Sequence, residues 1–178
     1  MDNMKELPIV SVLKKYSKMF KKIIYIILII SLLTSCVTPK NMVNNHVYAL
    51  RLRPNQDLKK AIVAFAKANN IQAGYIITCV GSLKKANLRL ANQPEANTWE
   101  DKFEIVSLVG TLGADSGVHL HASISDGTGK TIGGHLMDGN LIYTTAEIII
   151  GEVLDVNFSR KLDSLTTYNE LFIEKKIK

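Results

Sequence analysis

The order of apolar patterns along residues 47–178 restricts the fold more than any other feature of this chain. One stretch with helical spacing, roughly residues 57–69, is followed by seven segments with the spacing or composition of β-strands. The helical stretch carries apolar residues three and four positions apart, namely Leu58, Ala61, Ile62, Phe65 and Ala66. A single amphipathic helix must bury its apolar face against another layer, and here only strands are available. The pattern predicts an α+β fold, with a mostly antiparallel β-sheet packed against one main helix.

The predicted strands are short and are separated by turn-forming residues. A first strand precedes the helix, where Tyr48, Leu50 and Leu52 alternate with residues suited to the exposed face. Asn55 is predicted to cap the helix. Residues 91–101, a polar stretch with the only Trp, are predicted to form a loop. The strands expected after the helix are Gly74–Val80, Ala86–Leu90, Phe103–Leu112, Val118–Ser125, Thr131–Leu136, Ala146–Val153 and one near Leu171–Ile173.

A short apolar run near the N-terminus indicates a secretion signal. Lys21 and Lys22 precede the eleven apolar-rich residues 23–33, whereas a membrane-spanning helix needs roughly twenty. Basic residues followed by a short apolar segment are typical of a signal peptide. The run ends in Leu33-Thr34-Ser35-Cys36, which resembles the lipobox of bacterial lipoproteins, where the cysteine thiol is acylated. The alternative is a short buried helix followed by an incidental cysteine.

The leader sets the expected domain boundaries and the location of the protein. Residues 1–35 are predicted to be a lipoprotein-type signal peptide, residues 36–46 an Asn-rich tether, and residues 47–178 the folded domain. Met19 is an alternative start of translation. We expect lipidation at Cys36 to anchor the protein to a membrane of the cell envelope, with the domain facing the periplasm or the outside. Cys79 then has no second cysteine in the chain with which to form a disulfide, and we expect it to be a small residue of the core.

The basic charge of the chain is concentrated in the predicted leader. Residues 1–35 contribute +4 of the formal net charge of +6, so the remainder of the chain carries only +2. Proteins that bind nucleic acid neutralise phosphates with clustered lysines and arginines. We see no such cluster and do not expect nucleic acid as a partner.

Three of the four histidines lie in the stretch 117–136. His119 and His121 are two residues apart on a predicted strand, so both side chains point to one face. The segment 126–129 predicts a hairpin turn. A three-residue loop places His121 opposite His135. A two-residue loop instead places Leu120 opposite His135, and a bulge at the neighbouring glycines would then be needed to keep the histidines together.

Three converging imidazoles are typical of a catalytic type of zinc site. Such a site leaves a fourth coordination position open and lowers the pKa of bound water to about 7. The sequence therefore predicts zinc, or another divalent metal, bound by His119, His121 and His135. The alternative is that these histidines are hydrogen-bonded core or interface residues.

Glu104, flanked by Phe103 and Ile105, is either a base or an inward structural acid, and we favour the structural role.

Three strings of residues resemble the PPC domain (plants and prokaryotes conserved, also called DUF296). They are Lys102–Gly110, His119–Asp126 and Gly133–Leu136, and the resemblance runs from about Val47 to Lys175. It implies an α+β fold and a homotrimer. The plant core Gly-Arg-Phe-Glu-Ile-Leu is changed here at three places, to Asp101, Lys102 and Val106.

The resemblance leaves three functional hypotheses. In plants the domain accompanies AT-hooks that bind DNA, and its prokaryotic members carry a DNA-binding label, but this chain has no Arg-Gly-Arg AT-hook. The first hypothesis is a metal-binding module, which could be a zinc hydrolase. The second is a trimeric binding or assembly module without chemistry, and the third is DNA binding. Neither the small-molecule ligand nor whether the protein is an enzyme follows from the sequence.

Overall fold

The part of the chain described here excludes most of the predicted leader and tether. The computed structural model describes residues 20–22, which are helical, and residues 45–177. Cys36, Met19 and most of the predicted signal peptide lie outside the described residues. Within the two described ranges, no helix has the length and apolar character needed to cross a membrane. The chain divides into two units, Met1–Met42 and Val43–Lys178, and the second contains every element described below.

One helix and nine strands make up the described domain. The helix, α1, spans Leu58–Ala68. The strands are β1 Asn45–Leu52, β2 Gly74–Arg89, β3 Ala96–Trp99, β4 Phe103–Gly113, β5 Gly117–Ser125, β6 Thr131–Leu136, β7 Leu141–Val153, β8 Val156–Leu162 and β9 Asn169–Lys175.

Helix α1 forms where the apolar spacing predicted it. Leu58, Ile62 and Ala66 are fully buried against the sheet, which is the face that the sequence pattern indicated. The predicted cap is wrong, because Asp57 caps the helix and its carboxylate accepts a hydrogen bond from the N–H of Lys60 at 3.1 Å. A capping residue needs extended backbone angles, whereas Asn55 has a φ of 72° and lies in the preceding turn.

The sheet is antiparallel throughout, as predicted. Its strand order is β1-β7-β2-β4-β5-β6, with β3 paired to β2, while β8 and β9 form a separate two-stranded sheet. The end of β2 also pairs with β6, through Leu88 opposite Leu136 and Arg89 opposite His135. Strands β2, β4, β5 and β6 therefore form a closed ring. Apolar side chains fill its inner face, including Leu88, Leu136 and Ile124, each of which is fully buried.

Strand β2 is one continuous strand of 16 residues, although the sequence predicted two. Its pairing with β7 shifts register between Ile76 and Thr78 and again after Gly81. Such bulges bend and twist a strand without ending it. The bend allows β2 to pair with β7 along most of its length, with β4 at Gly74–Tyr75 and Ser82–Leu83, and with β6 at its end.

Several strand boundaries differ from the predictions. Strand β3 forms inside the predicted loop 91–101, and β8 was not predicted. In β8 the first five residues are all half-buried, so the strand has no alternation to detect. Strand β1 begins at Asn45, two residues inside the predicted tether.

Cys79 is a buried residue of β2, and burial raises the pKa of its thiol to about 12, so the thiol stays protonated in the core.

Candidate metal centre

The β5–β6 hairpin closes with the three-residue loop. The N–H of Asp126 donates to the carbonyl of Lys130 at 3.0 Å, and Ser125 lies opposite Thr131. The Asp126 carboxylate accepts hydrogen bonds from the N–H groups of Thr128 and Lys130, which fixes the turn. Gly129 has a φ of 84°, the left-handed conformation that such a loop needs. This register excludes the alternative two-residue loop.

The hairpin places three histidines together on the outer face of the ring. His121 lies directly opposite His135, and His119 is two residues away on β5. Their ring centroids are 5.1–5.4 Å apart in all three pairs. Each ring offers one nitrogen atom to the cluster, and these three nitrogen atoms all lie within 4.8 Å of one another. Between His119 and His121, Leu120 points into the core and is 1% exposed.

The surroundings of His119 and His135 favour neutral rings. Burial, together with positive charge on His119 and Arg89, lowers the pKa of His135 to about 4. Burial also lowers the pKa of His119, and Arg160 acts in the same direction. The Nδ1 atom of His135 is buried and has no hydrogen-bond partner among the described residues. Only neutral imidazole binds a metal ion. His119 and His135 are therefore suited to bind one, and His135 has a nitrogen atom that lacks a hydrogen-bond partner.

Two arginines that the sequence analysis did not identify border the histidines. Arg89 lies at the end of β2, directly opposite His135. Arg160, on β8, donates a hydrogen bond from Nη2 to Oγ1 of Thr111 at 3.0 Å. Thr111 lies opposite His119 in the β4–β5 pair. Arg89 precedes His119 by 30 positions and Arg160 follows His135 by 25, and single charged residues so remote in the sequence carry no spatial information.

Open cavities border this cluster, and two of them share Arg89, His119 and His135 in their lining. The larger has a volume of about 1030 Å³ and is lined by Arg89, His119, His135, Arg160 and Glu170, among others. The smaller, of about 500 Å³, adds His121 and the Gly133-Gly134 backbone. These volumes suit a small-molecule ligand. Glu170 of β9 is the one carboxylate among the residues that line the larger cavity.

Glu104 lies away from this cluster. Its side chain is exposed on β4, whereas the sequence analysis favoured an inward structural acid. Its backbone lies opposite Ser125. Ser125 lies four positions from His121 along β5, which is about 14 Å. Glu104 is also absent from the lining of both cavities. Within one chain it therefore cannot act as a base on a metal bound by the histidines, and Glu170 is the nearer carboxylate.

The fold and the site together define a class of protein. It is an α+β domain with a mostly antiparallel sheet, in which two adjacent strands present three histidines beside an open cavity. The chain belongs to the Plants and Prokaryotes Conserved (PCC) domain family, whose model matches residues 40–154. This assignment confirms the family resemblance seen in the sequence.

A curated relative carries this domain as part of a larger protein. The bifunctional protein GlmU of Synechococcus sp. (strain JA-3-3Ab) is 50% identical over 129 residues, which cover 72% of this chain and 21% of GlmU. This chain thus spans about a fifth of the length of the curated relatives it matches.

Solved structures share the fold. A hypothetical protein from Salmonella cholerae-suis has a TM-score of 0.74 and 39% identity, over 77% of this chain and 99% of that one. A Bacteroides thetaiotaomicron protein with a provisional DNA-binding description has a TM-score of 0.62 and 23% identity, over 74% and 98%. A metal-containing protein from Archaeoglobus fulgidus has a TM-score of 0.61 and 23% identity, over 73% and 94%. The last two are similar in fold alone.

Proposed function

We propose that this protein is an exported, lipid-anchored, self-associating domain that binds one divalent metal ion, zinc in the first instance, through His119, His121 and His135. The observation that carries the metal site is the placement of one nitrogen from each ring within 4.8 Å of the others. Rotation of the side chains is enough to direct three nitrogens at that spacing to one ion.

The chemistry of the donor set fits zinc. Imidazole nitrogen is a preferred zinc ligand, and a site with three protein ligands keeps one position open for water or a ligand. The lowered pKa of His135 keeps this ring neutral at physiological pH. The orphaned Nδ1 of His135 supports the same proposal, because a buried polar atom without a partner costs free energy that a bound ion would offset. The metal-containing protein of the same fold from Archaeoglobus fulgidus is consistent with the assignment.

When bound, such an ion supplies Lewis acidity and lowers the pKa of a bound water molecule. The protein's own residues that line the larger cavity would position the ligand. Glu170, which lines this cavity together with His119, is the carboxylate available to accept a proton there. Binding alone, without catalysis, uses the same residues.

Self-association is supported by apolar side chains on the outer face of the sheet. Ile77, Val80, Val106 and Val109 on the adjacent strands β2 and β4 are between 48% and 60% exposed. A contiguous exposed apolar patch on a small domain marks an interaction surface. Val109 also lines the smaller cavity, so a second copy on this face would border the metal site. We propose the homotrimer that the family resemblance implies.

DNA binding is the second candidate, since it is the description given to the Bacteroides thetaiotaomicron protein of the same fold. The charge distribution favours it less. The chain after residue 35 carries a formal charge of only +2, and Arg89 and Arg160 converge on a cavity rather than form an open basic face.

The metal site can be tested by elemental analysis of the protein, purified in detergent from the cells that produce it. We expect about one zinc ion per chain, and we expect His119→Ala, His121→Ala and His135→Ala each to lose most of it. His46→Ala is the matched control, because His46 is an exposed residue of β1 outside the cluster.

Two outcomes would contradict the metal site. The first is a wild-type protein that purifies without metal and takes up no zinc at pH 7.5. The second is full zinc occupancy in all three cluster variants. Circular dichroism of each variant distinguishes loss of the ion from loss of the fold, since the inner face of the ring does not depend on the histidines.

A further inference from the structure

We propose that the metal centre is also an oxyanion site, in which Arg89 and Arg160 bind a carboxylate or phosphate group of a small ligand beside the three histidines. This inference rests on the proposed metal site and specifies the chemical class of its ligand.

Arg89 belongs to the same cross-strand row as two of the histidines. His121, His135 and Arg89 lie opposite one another on β5, β6 and β2. Residues directly opposite each other on antiparallel strands project to the same face, with Cβ atoms about 5 Å apart. Arg89 lines both cavities, together with His119 and His135. The pairing of β2 with β6, which closes the ring, therefore also brings a cation to the histidine cluster.

Arg160 approaches the cluster from the other side. It is held by its hydrogen bond to Thr111, the residue opposite His119. This hydrogen bond to the Thr111 hydroxyl uses one of the five N–H donors of the guanidinium group, so the bond does not occupy the other four. Arg160 lines the larger cavity with Arg89, so the two guanidinium groups border one volume from different elements of the fold.

Both arginines retain the capacity to bind an anion. Among residues 45–177, neither forms an ion pair with a carboxylate within 4.0 Å. The lining of the larger cavity holds these two cations and one carboxylate, Glu170. A bound divalent ion would increase the excess of positive charge. The electrostatics of the cavity therefore favour a ligand with negative charge.

The geometry of guanidinium narrows the class of ligand. Its planar fork matches the two oxygens of a carboxylate or a phosphate, and these paired hydrogen bonds are among the strongest that proteins form. An oxygen of the same group suits the open fourth position of a three-histidine zinc site. A cavity of about 1030 Å³ leaves room for the rest of a small organic molecule. Carboxylates and phosphate esters share this chemistry, and the experiment below separates them.

The test is calorimetric titration of the zinc-loaded full chain with inorganic phosphate and, separately, with malonate, at pH 7.5 and constant ionic strength. We expect Arg89→Gln and Arg160→Gln each to raise the Kd of the tighter anion at least tenfold. Arg53→Gln is the matched control, because it removes the same charge from an exposed position outside the cavities. We expect it to leave Kd unchanged. Tighter binding of phosphate identifies a phosphate ester, and tighter binding of malonate identifies a carboxylate.

The same samples are analysed for zinc, so that the two proposals fail separately. If Arg89→Gln and Arg160→Gln retain zinc and bind both anions within twofold of the wild-type Kd, the oxyanion site is overturned while the metal centre stands. If the wild type takes up no zinc, the metal centre is overturned, and with it the binding of a ligand oxygen at the fourth position of the ion. If Arg89→Gln or Arg160→Gln loses zinc, the titration is repeated with Arg89→Lys and Arg160→Lys. These variants keep the positive charge but lack the planar guanidinium group that pairs with two oxygens. Unchanged anion affinity in zinc-loaded lysine variants also overturns the proposal.

Discussion

The side chain of Asn140 pairs with the backbone of Asn87 in both directions. Its Oδ1 accepts a hydrogen bond from the N–H of Asn87 at 2.8 Å, and its Nδ2 donates to the carbonyl of the same residue at 3.1 Å. Nδ2 also donates to the carbonyl of Met137 at 2.6 Å. Asn140 is fully buried. Since Asn87 lies on β2 and Met137 directly follows β6, this amide reinforces the strand pairing that brings Arg89 opposite His135.

Removal of the Asn140 amide should therefore destabilise the domain. Asn140→Ala removes the hydrogen bonds to the N–H of Asn87 and the carbonyl of Met137, at a cost of about 2–4 kcal/mol in the free energy of unfolding. Urea denaturation measures this difference. Asn97→Ala, at an exposed position of β3, is the control and should change stability by less than about 0.5 kcal/mol. Equal stability of the two variants would refute the role of Asn140.

A substitution at Gly110 should disturb the histidine strand. Gly110 has a φ of 137°, and a Cβ atom there would collide with the carbonyl oxygen of His119. Gly110→Ala should therefore displace β5 from β4, lower the free energy of unfolding by more than about 2 kcal/mol, and weaken zinc binding. Gly127→Ala is the control, because an added methyl group there meets open space without a positive φ. A Gly110→Ala protein with wild-type zinc affinity and melting temperature would contradict this account.

The stability of the metal-free protein should fall as the pH drops from about 6.5 towards 4. Burial lowers the pKa of His135 to about 4 in the folded state, whereas an unfolded histidine has a pKa of about 6.5. In this window the unfolded chain binds the proton and the folded chain does not, so acid favours unfolding. The free energy of unfolding at pH 7.5, 6 and 4.5 tests this. His135→Gln should show a shallower decline than the wild type, and parallel curves for the two proteins would sink the prediction.

Lipidation at Cys36 should be visible by metabolic labelling with palmitate in the producing bacterium. The basic residues, short apolar run and lipobox-like sequence that end at Cys36 motivate the prediction. Cys36→Ser should abolish the label and release the protein from the membrane fraction. Cys79→Ala should keep the label, because Cys79 is buried in β2. Equal labelling of wild type and Cys36→Ser would rule the modification out.

The protein should sediment as a trimer in a density-matched detergent. Val106→Lys places a charge on the exposed apolar face of β2 and β4 and should shift the equilibrium towards the monomer. Leu165→Lys alters an equally apolar, exposed residue in the β8–β9 connection and should leave the assembly intact. A wild type that remains monomeric at micromolar concentration would contradict the proposed interface.

The sequence by itself determined the parts of the site that depend on local geometry. The spacing of His119 and His121 placed them on one face of a strand, because side chains alternate with a period of two. The turn residues of the segment 126–130 predicted a hairpin with a two- or a three-residue loop, and the structure has the three-residue loop, which places His135 opposite His121. The helix was predictable for the same reason, since its apolar face repeats within a few residues.

Only the tertiary structure decided which other residues join the histidines. Arg89 reaches His135 because bulges bend β2 until its end pairs with β6, and a bend of that kind leaves no periodic signal. Arg160 and Glu170 arrive on the β8–β9 hairpin, whose half-buried residues lack alternation. Glu104 has the local pattern of a site residue and yet lies about 14 Å along the sheet from His121. Contacts between strands distant in the chain depend on how the whole sheet twists and closes, and no single segment encodes that closure.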